Sequence, residues 1–80
     1  MEPMEEELKK LGFDHRFDTF ICYYKKIYNN IIYIDHHISD TEWKCTLVSD
    51  DEYQDEIYLN YDCTVEWVKS LVLILETAND

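Results

Sequence analysis

Between positions 50 and 66 the chain carries seven carboxylates, Asp50, Asp51, Glu52, Asp55, Glu56, Asp62 and Glu66, and no lysine or arginine. Three phenols, Tyr53, Tyr58 and Tyr61, are set among them. These two kinds of residue do one kind of chemistry well together. Carboxylates pair with guanidinium and ammonium groups, and tyrosine supplies the rigid contact area that is enriched at binding hot spots. In an extended strand alternate carboxylates stand about 6.6–6.8 Å apart, close enough for fixed negative charges to imitate a nucleic-acid backbone. The formal charge of the chain is -11, and it is unevenly spread: residues 1–40 hold eight acids and five bases, residues 41–80 ten acids and two bases. A field of this sign repels nucleic acid and anionic lipid and draws basic protein surfaces. The ten residues named above are therefore the candidate partner-binding set. The expected partner is a basic protein surface, that of a nucleic-acid-handling protein.

Other chemistries lack their parts. His36 and His37 beside Asp35 form the most metal-like cluster, but adjacent strand residues point to opposite faces, and no Cys-x-x-Cys or His-x-x-x-His pair completes a zinc site. His15 reads as a loop residue. The acids at 50–56 lack the alternation and the glycine of a calcium loop, since Gly12 is the only glycine, and the same lack rules out a glycine-rich phosphate loop. Cys22, Cys45 and Cys63 are odd in number and widely spaced, and residues 1–11 are charged rather than apolar, so no secretory leader is read. They read as free thiols in a reducing compartment, where the surrounding carboxylates disfavour thiolate. A catalytic carboxylate pair needs one acid in an apolar pocket, which so small a domain seldom holds. No catalytic residue, metal or cofactor is expected, and the chain is read as a non-enzyme. Seven bases against eighteen acids oppose direct binding of nucleic acid. The longest apolar run, 71–75, is far short of the roughly 20 residues that span a bilayer. A soluble cytoplasmic protein is expected.

The elements that must position these residues follow from local patterns. Eighty residues make one domain, 1–80, and hydrophobic residues at 46% with seven Tyr, two Trp and three Phe supply one modest core. Pro3, the acids Glu5, Glu6 and Glu7, the bases Lys9 and Lys10, and Gly12 punctuate a helix over 3–11, with Met4, Leu8 and Leu11 as its apolar stripe and Phe13 folding back on Leu8. Residues 17–24 and 31–37 read as strands joined by a turn within 25–30 that includes Asn29 and Asn30. The second is apolar at four successive positions, 31–34, which suits a strand covered on both sides or centrally placed. A third strand is expected at 43–48, a loop at 49–55 and a short fourth strand at 57–59. A helix over 62–76, capped by Asn60 or Asp62, presents Val65, Val68, Leu71, Val72 and Leu75, with Trp67 and Ile74 widening its apolar face, and residues 77–80 are expected to fray. The result is an α+β fold: a three- to four-stranded antiparallel sheet flanked by a short N-terminal and a longer C-terminal helix, in the order αβββ(β)α.

The opening Glu7–Leu8–Lys9–Lys10–Leu11–Gly12–Phe13, the strands rich in Tyr, Ile, Asn and Lys, and the closing helix resemble the small acidic proteins encoded by phages and prophages of low-GC bacteria, several anti-CRISPR proteins among them. That resemblance implies a host-directed inhibitor that occupies the nucleic-acid groove of a defence protein. Two blander readings stand beside it. The acids can simply be a solvated face that keeps an aromatic-rich protein soluble. The chain can also be a homo-oligomeric accessory protein that packs its apolar surplus, the second strand or Trp67 and Ile74, against another copy.

Overall fold

The computed structural model describes residues 3–17, 20–37, 42–51, 55–60 and 62–78. Its first element, α1 (Pro3–Lys10), stops as its sequence demands. Gly12 takes a φ of +88°, its N–H reaches the Lys9 carbonyl at 3.1 Å, and the Phe13 N–H reaches the Leu8 carbonyl at 3.0 Å. These are the two bonds of a Schellman cap, and buried Phe13 supplies its hydrophobic partner to buried Leu8. The Lys25 ammonium lies 3.0 Å from where a Cβ on Gly12 would stand, so a cation meets the negative end of the helix. Gly12→Ala is accordingly expected to lower stability by about 1–2 kcal/mol, read by urea denaturation, because a left-handed backbone is costly for any residue with a Cβ.

Five strands follow: β1 (Asp14–Phe17), β2 (Phe20–Ile27), β3 (Asn30–His37), β4 (Lys44–Ser49) and β5 (Glu56–Asn60). They form one antiparallel meander in the order β1-β2-β3-β4-β5, and α2 (Val65–Ala78) closes the chain. The α+β reading stands, with one strand more than expected. The additional strand, β1, includes His15, which is therefore not a loop residue; its ring lies 5.7 Å from that of Tyr23. The strand that was placed at 17–24 runs instead over β2 and continues to Ile27.

One face of the sheet carries the core. Paired positions run across it in the row His15–Tyr23–Ile34–Cys45–Asn60, beside the row Lys25–Ile32–Leu47–Ile57. Tyr23, Ile32, Ile34 and Cys45 from these rows are buried together with Met4, Leu8, Trp43, Val68 and Val72. The Tyr23 ring is enclosed while its hydroxyl donates to Glu5 at 3.1 Å, and burial together with that carboxylate pushes the phenol up to about 12. Glu7 ties the helices together through Lys69 at 3.2 Å, and that bond holds its carboxyl below the usual range.

The opposite face has rows Arg16–Cys22–Asp35–Lys44, Asp14–Tyr24–Tyr33–Thr46–Tyr58 and Lys26–Ile31–Val48–Glu56. β3 is central, as its apolar run suggested. Ile31, Tyr33 and Asp35 are half-buried on this face, and Tyr24 and Tyr33 lie 6.2 Å apart. α2 starts at Val65, not at 62. Its cap is Thr64, whose Oγ1 accepts the Trp67 N–H at 3.2 Å, while the Asn60 side chain accepts the Asp62 N–H instead. The Cys63 N–H is already bonded to the Trp43 carbonyl at 2.8 Å, which holds residue 63 outside the helix. The helix also continues past 76, through Thr77 and Ala78. No helix among the described residues is long and apolar enough to cross a membrane.

Candidate functional site

The acidic segment is a hairpin. Ser49 closes its mouth: the Ser49 N–H reaches the Asp55 carbonyl at 3.0 Å, the Ser49 hydroxyl accepts the Asp55 N–H at 2.9 Å, and the same hydroxyl donates to Asp51 at 3.3 Å. Asp50, Asp51 and Asp55 are exposed around this clamp. β5 leaves it with Glu56 in register with Val48 and Tyr58 in register with Thr46. That register puts Glu56 and Tyr58 on the sheet face that carries no core row, and Tyr58 is 62% exposed. A bulge opposite Cys45 and Thr46 then shifts the strand, so that Asn60 pairs with Cys45.

The predicted residues fall into two groups. Asp50, Asp51, Asp55, Glu56 and Tyr58 share the hairpin tip and the adjoining half of β5. Asp62 and Glu66 do not join them. β5 separates them by its own length of about 13 Å, and Glu66 stands two residues before buried Val68, on the solvent side of α2. Glu52, Tyr53 and Tyr61 lie outside the described residues.

Two contacts link the tip to the β2–β3 turn. The Asp50 N–H reaches the Asn29 carbonyl at 2.7 Å, and the Asp50 carboxylate meets Lys26 at 2.6 Å. This exposed ion pair is worth at most about 1 kcal/mol, so an incoming guanidinium can exchange with Lys26. The turn itself brings in a residue that sequence reasoning missed. Ile27 pairs with Asn30, which leaves Tyr28 and Asn29 as the turn, and Tyr28 takes the positive φ, 55°. The expected turn had been built on Asn29 and Asn30. Tyr28 is half exposed and, with Lys25, Lys26, Ile27 and Glu76, lines an open groove of about 460 Å³. The surface thus gains a tyrosine and a carboxylate, Tyr28 and Glu76, from elements far away in sequence.

Comparison with protein-family models, with curated proteins and with solved structures gives no match to this chain.

A left-handed backbone under a bulky residue costs about 1–2 kcal/mol, and asparagine bears it far better. Tyr28→Asn is therefore expected to raise stability by about 1 kcal/mol in denaturant titrations. If the ring contributes to docking, the same substitution weakens binding, which is how a tyrosine kept at a position of backbone strain differs from a merely structural one.

His36 stacks on Trp43 with ring centroids 4.6 Å apart, and its buried Nδ1 has no hydrogen-bond partner. Among the described residues no group of three His, Cys, Asp or Glu side chains is placed to hold a metal ion. Of the thiols, Cys22 is half-buried on the face opposite the core, and burial, aided by Asp35, pushes it up to about 12. At the buried pair, Cys63 and burial push the Cys45 thiol up, while Cys45 acts to lower Cys63 against the opposing effects of burial and of Asp62.

Proposed function

We propose that this chain is a non-enzymatic inhibitor that binds a basic surface of another protein through the tip of the β4–β5 hairpin. The observation that carries this reading is the grouping of Asp50, Asp51, Asp55 and Glu56 with Tyr58 and Tyr28 at one end of the sheet, where Lys26 pairs with Asp50. Carboxylates on a hairpin closed by hydrogen bonds offer acceptors to guanidinium and ammonium groups, and the exposed phenols supply apolar area beside them. In its sharpest form the surface stands in for a nucleic-acid backbone in the groove of a host defence protein, as in phage anti-CRISPR proteins, and acts in the cytoplasm of a bacterial host. Asp62 and Glu66 then add to the long-range field that steers the encounter rather than to the contact.

The test is capture of partners on the immobilised chain, followed by a challenge with duplex DNA or structured RNA. The expected result is a basic nucleic-acid-binding protein that the nucleic acid displaces. A captured partner that nucleic acid leaves in place contradicts the mimic, and capture that is insensitive to salt contradicts the docking surface altogether.

A second reading has its own observation. Ile57 (55% exposed) and Leu59 (37%) lie on β5, an edge strand, and Leu73 and Ile74 are exposed on α2. An edge of this kind is a template for another strand, and a homo-oligomeric accessory protein would use it. Sedimentation at low and high salt separates the readings. Self-association of a chain with charge -11 strengthens as salt screens the repulsion, whereas binding to a basic partner weakens.

A further inference from the structure

The three cysteines divide into a pair and a single. Cys22 points away from the core, in a row with Arg16 and Asp35. Cys45 and Cys63 are both buried within the core cluster. Cys45 is the β4 partner of Asn60, and the Cys63 sulfur returns to that same residue, 3.9 Å from its carbonyl oxygen. The bond from the Cys63 N–H to the Trp43 carbonyl holds the backbone of residue 63 beside the start of β4. Each of the two thiols shifts the ionisation of the other, Cys45 upward and Cys63 downward. Two buried thiols that converge on Asn60, one from the sheet and one from the lead into α2, are in the neighbourhood that a disulfide requires. The span between them contains the whole acidic hairpin.

We infer that Cys45 and Cys63 form a reversible dithiol–disulfide couple, a modification site whose closure locks the β4–β5 hairpin into a covalent ring. The oxidant class is a small-molecule disulfide. Cys63 is the attacking sulfur: it is the more accessible of the two, and Cys45 acts to favour its thiolate. It attacks one sulfur of the small disulfide and forms a mixed disulfide, and the first thiolate leaves and takes up the proton that Cys63 has lost. Cys45 then loses its proton and attacks the Cys63 sulfur, expelling the second thiolate, which takes up that proton. Two protein thiols become one disulfide, and one small disulfide becomes two small thiols.

Closing a ring of this size restricts the unfolded chain more than the folded one, so oxidation stabilises the protein as long as the bond fits without strain.

The experiment incubates the folded chain with oxidised glutathione and, in a parallel arm, refolds the denatured chain in a glutathione redox buffer. Peptide mapping and thermal unfolding follow. The expected product in both arms has lost two hydrogens, carries a Cys45–Cys63 bond, leaves Cys22 as the titratable thiol, and unfolds about 10 °C higher or more. Cys45→Ser is expected to retain glutathione on Cys63, and Cys63→Ser to form no internal bond. A bond that involves Cys22, persistent glutathione on both Cys45 and Cys63, failure to close in both arms, or a lower unfolding temperature on closure overturns the inference.

Discussion

Asp51→Lys, Asp55→Lys and Glu56→Lys, introduced together, are expected to weaken binding to a basic partner by well over tenfold while leaving the unfolding transition in place. The three positions are exposed, and at Asp55 it is the backbone, not the carboxylate, that closes the hairpin. The substitutions give up the exposed Ser49–Asp51 hydrogen bond and otherwise change charge with little change in packing. They move the formal charge from -11 to -5 and turn the tip from attractive to repulsive for a cation. A tenfold loss is about 1.4 kcal/mol, which close charge pairs of this kind readily supply. A matched control reverses Glu6, Asp14 and Glu42, which are also exposed, and so makes the same change in net charge away from the tip. Surface plasmon resonance on both variants separates local contact from overall field. The tip variant should lose affinity chiefly through faster dissociation, and the control should lose only part of its association rate.

The second large effect is on stability. Leu8→Ala is expected to remove about 3 kcal/mol from a domain whose total is on the order of 5–10 kcal/mol, which raises the unfolded fraction by roughly a hundredfold. Leu8 is wholly enclosed, anchors α1 in the core cluster, and lends its carbonyl to the cap at Phe13. Removing its side chain opens a cavity at the point where helix and cap meet. Circular dichroism during urea titration checks this, with a midpoint shift at unchanged slope as the expected form. The result also bears on the binding surface, because partner binding raises the apparent stability of the folded state.

Much of this architecture is local in origin and was therefore legible in the sequence. Gly12 and the acid–base order of residues 5–10 dictate where α1 stops, and the spacing of Val68 and Val72 dictates which side of α2 is buried. The run Ile31–Ile34 suited a strand either covered on both faces or centrally placed, and β3 is central. What was not legible depends on pairing. Asp14–Phe17 has none of the marks of a strand, and becomes one because the extended edge of β2 accepts it. Three capping residue types, Asn60, Asp62 and Thr64, precede α2, and only the bond from Cys63 to Trp43 selects the last of them. At the site, the sequence showed the density of charge but not its division. The bulge opposite Cys45 and Thr46 and the length of β5 carry Asp62 and Glu66 away from the tip, while the contacts of Asp50 with Lys26 and Asn29 bring in Tyr28.

Hydrogen exchange on the chain with and without its captured partner tests the account most directly. Docking through the hairpin predicts slowed exchange at the amides of residues 50–60 and at Tyr28 and Asn29, with little change on the outer side of α2. Slowing confined to α2 or to the β1 edge, with the hairpin exchanging as in the free protein, would contradict it.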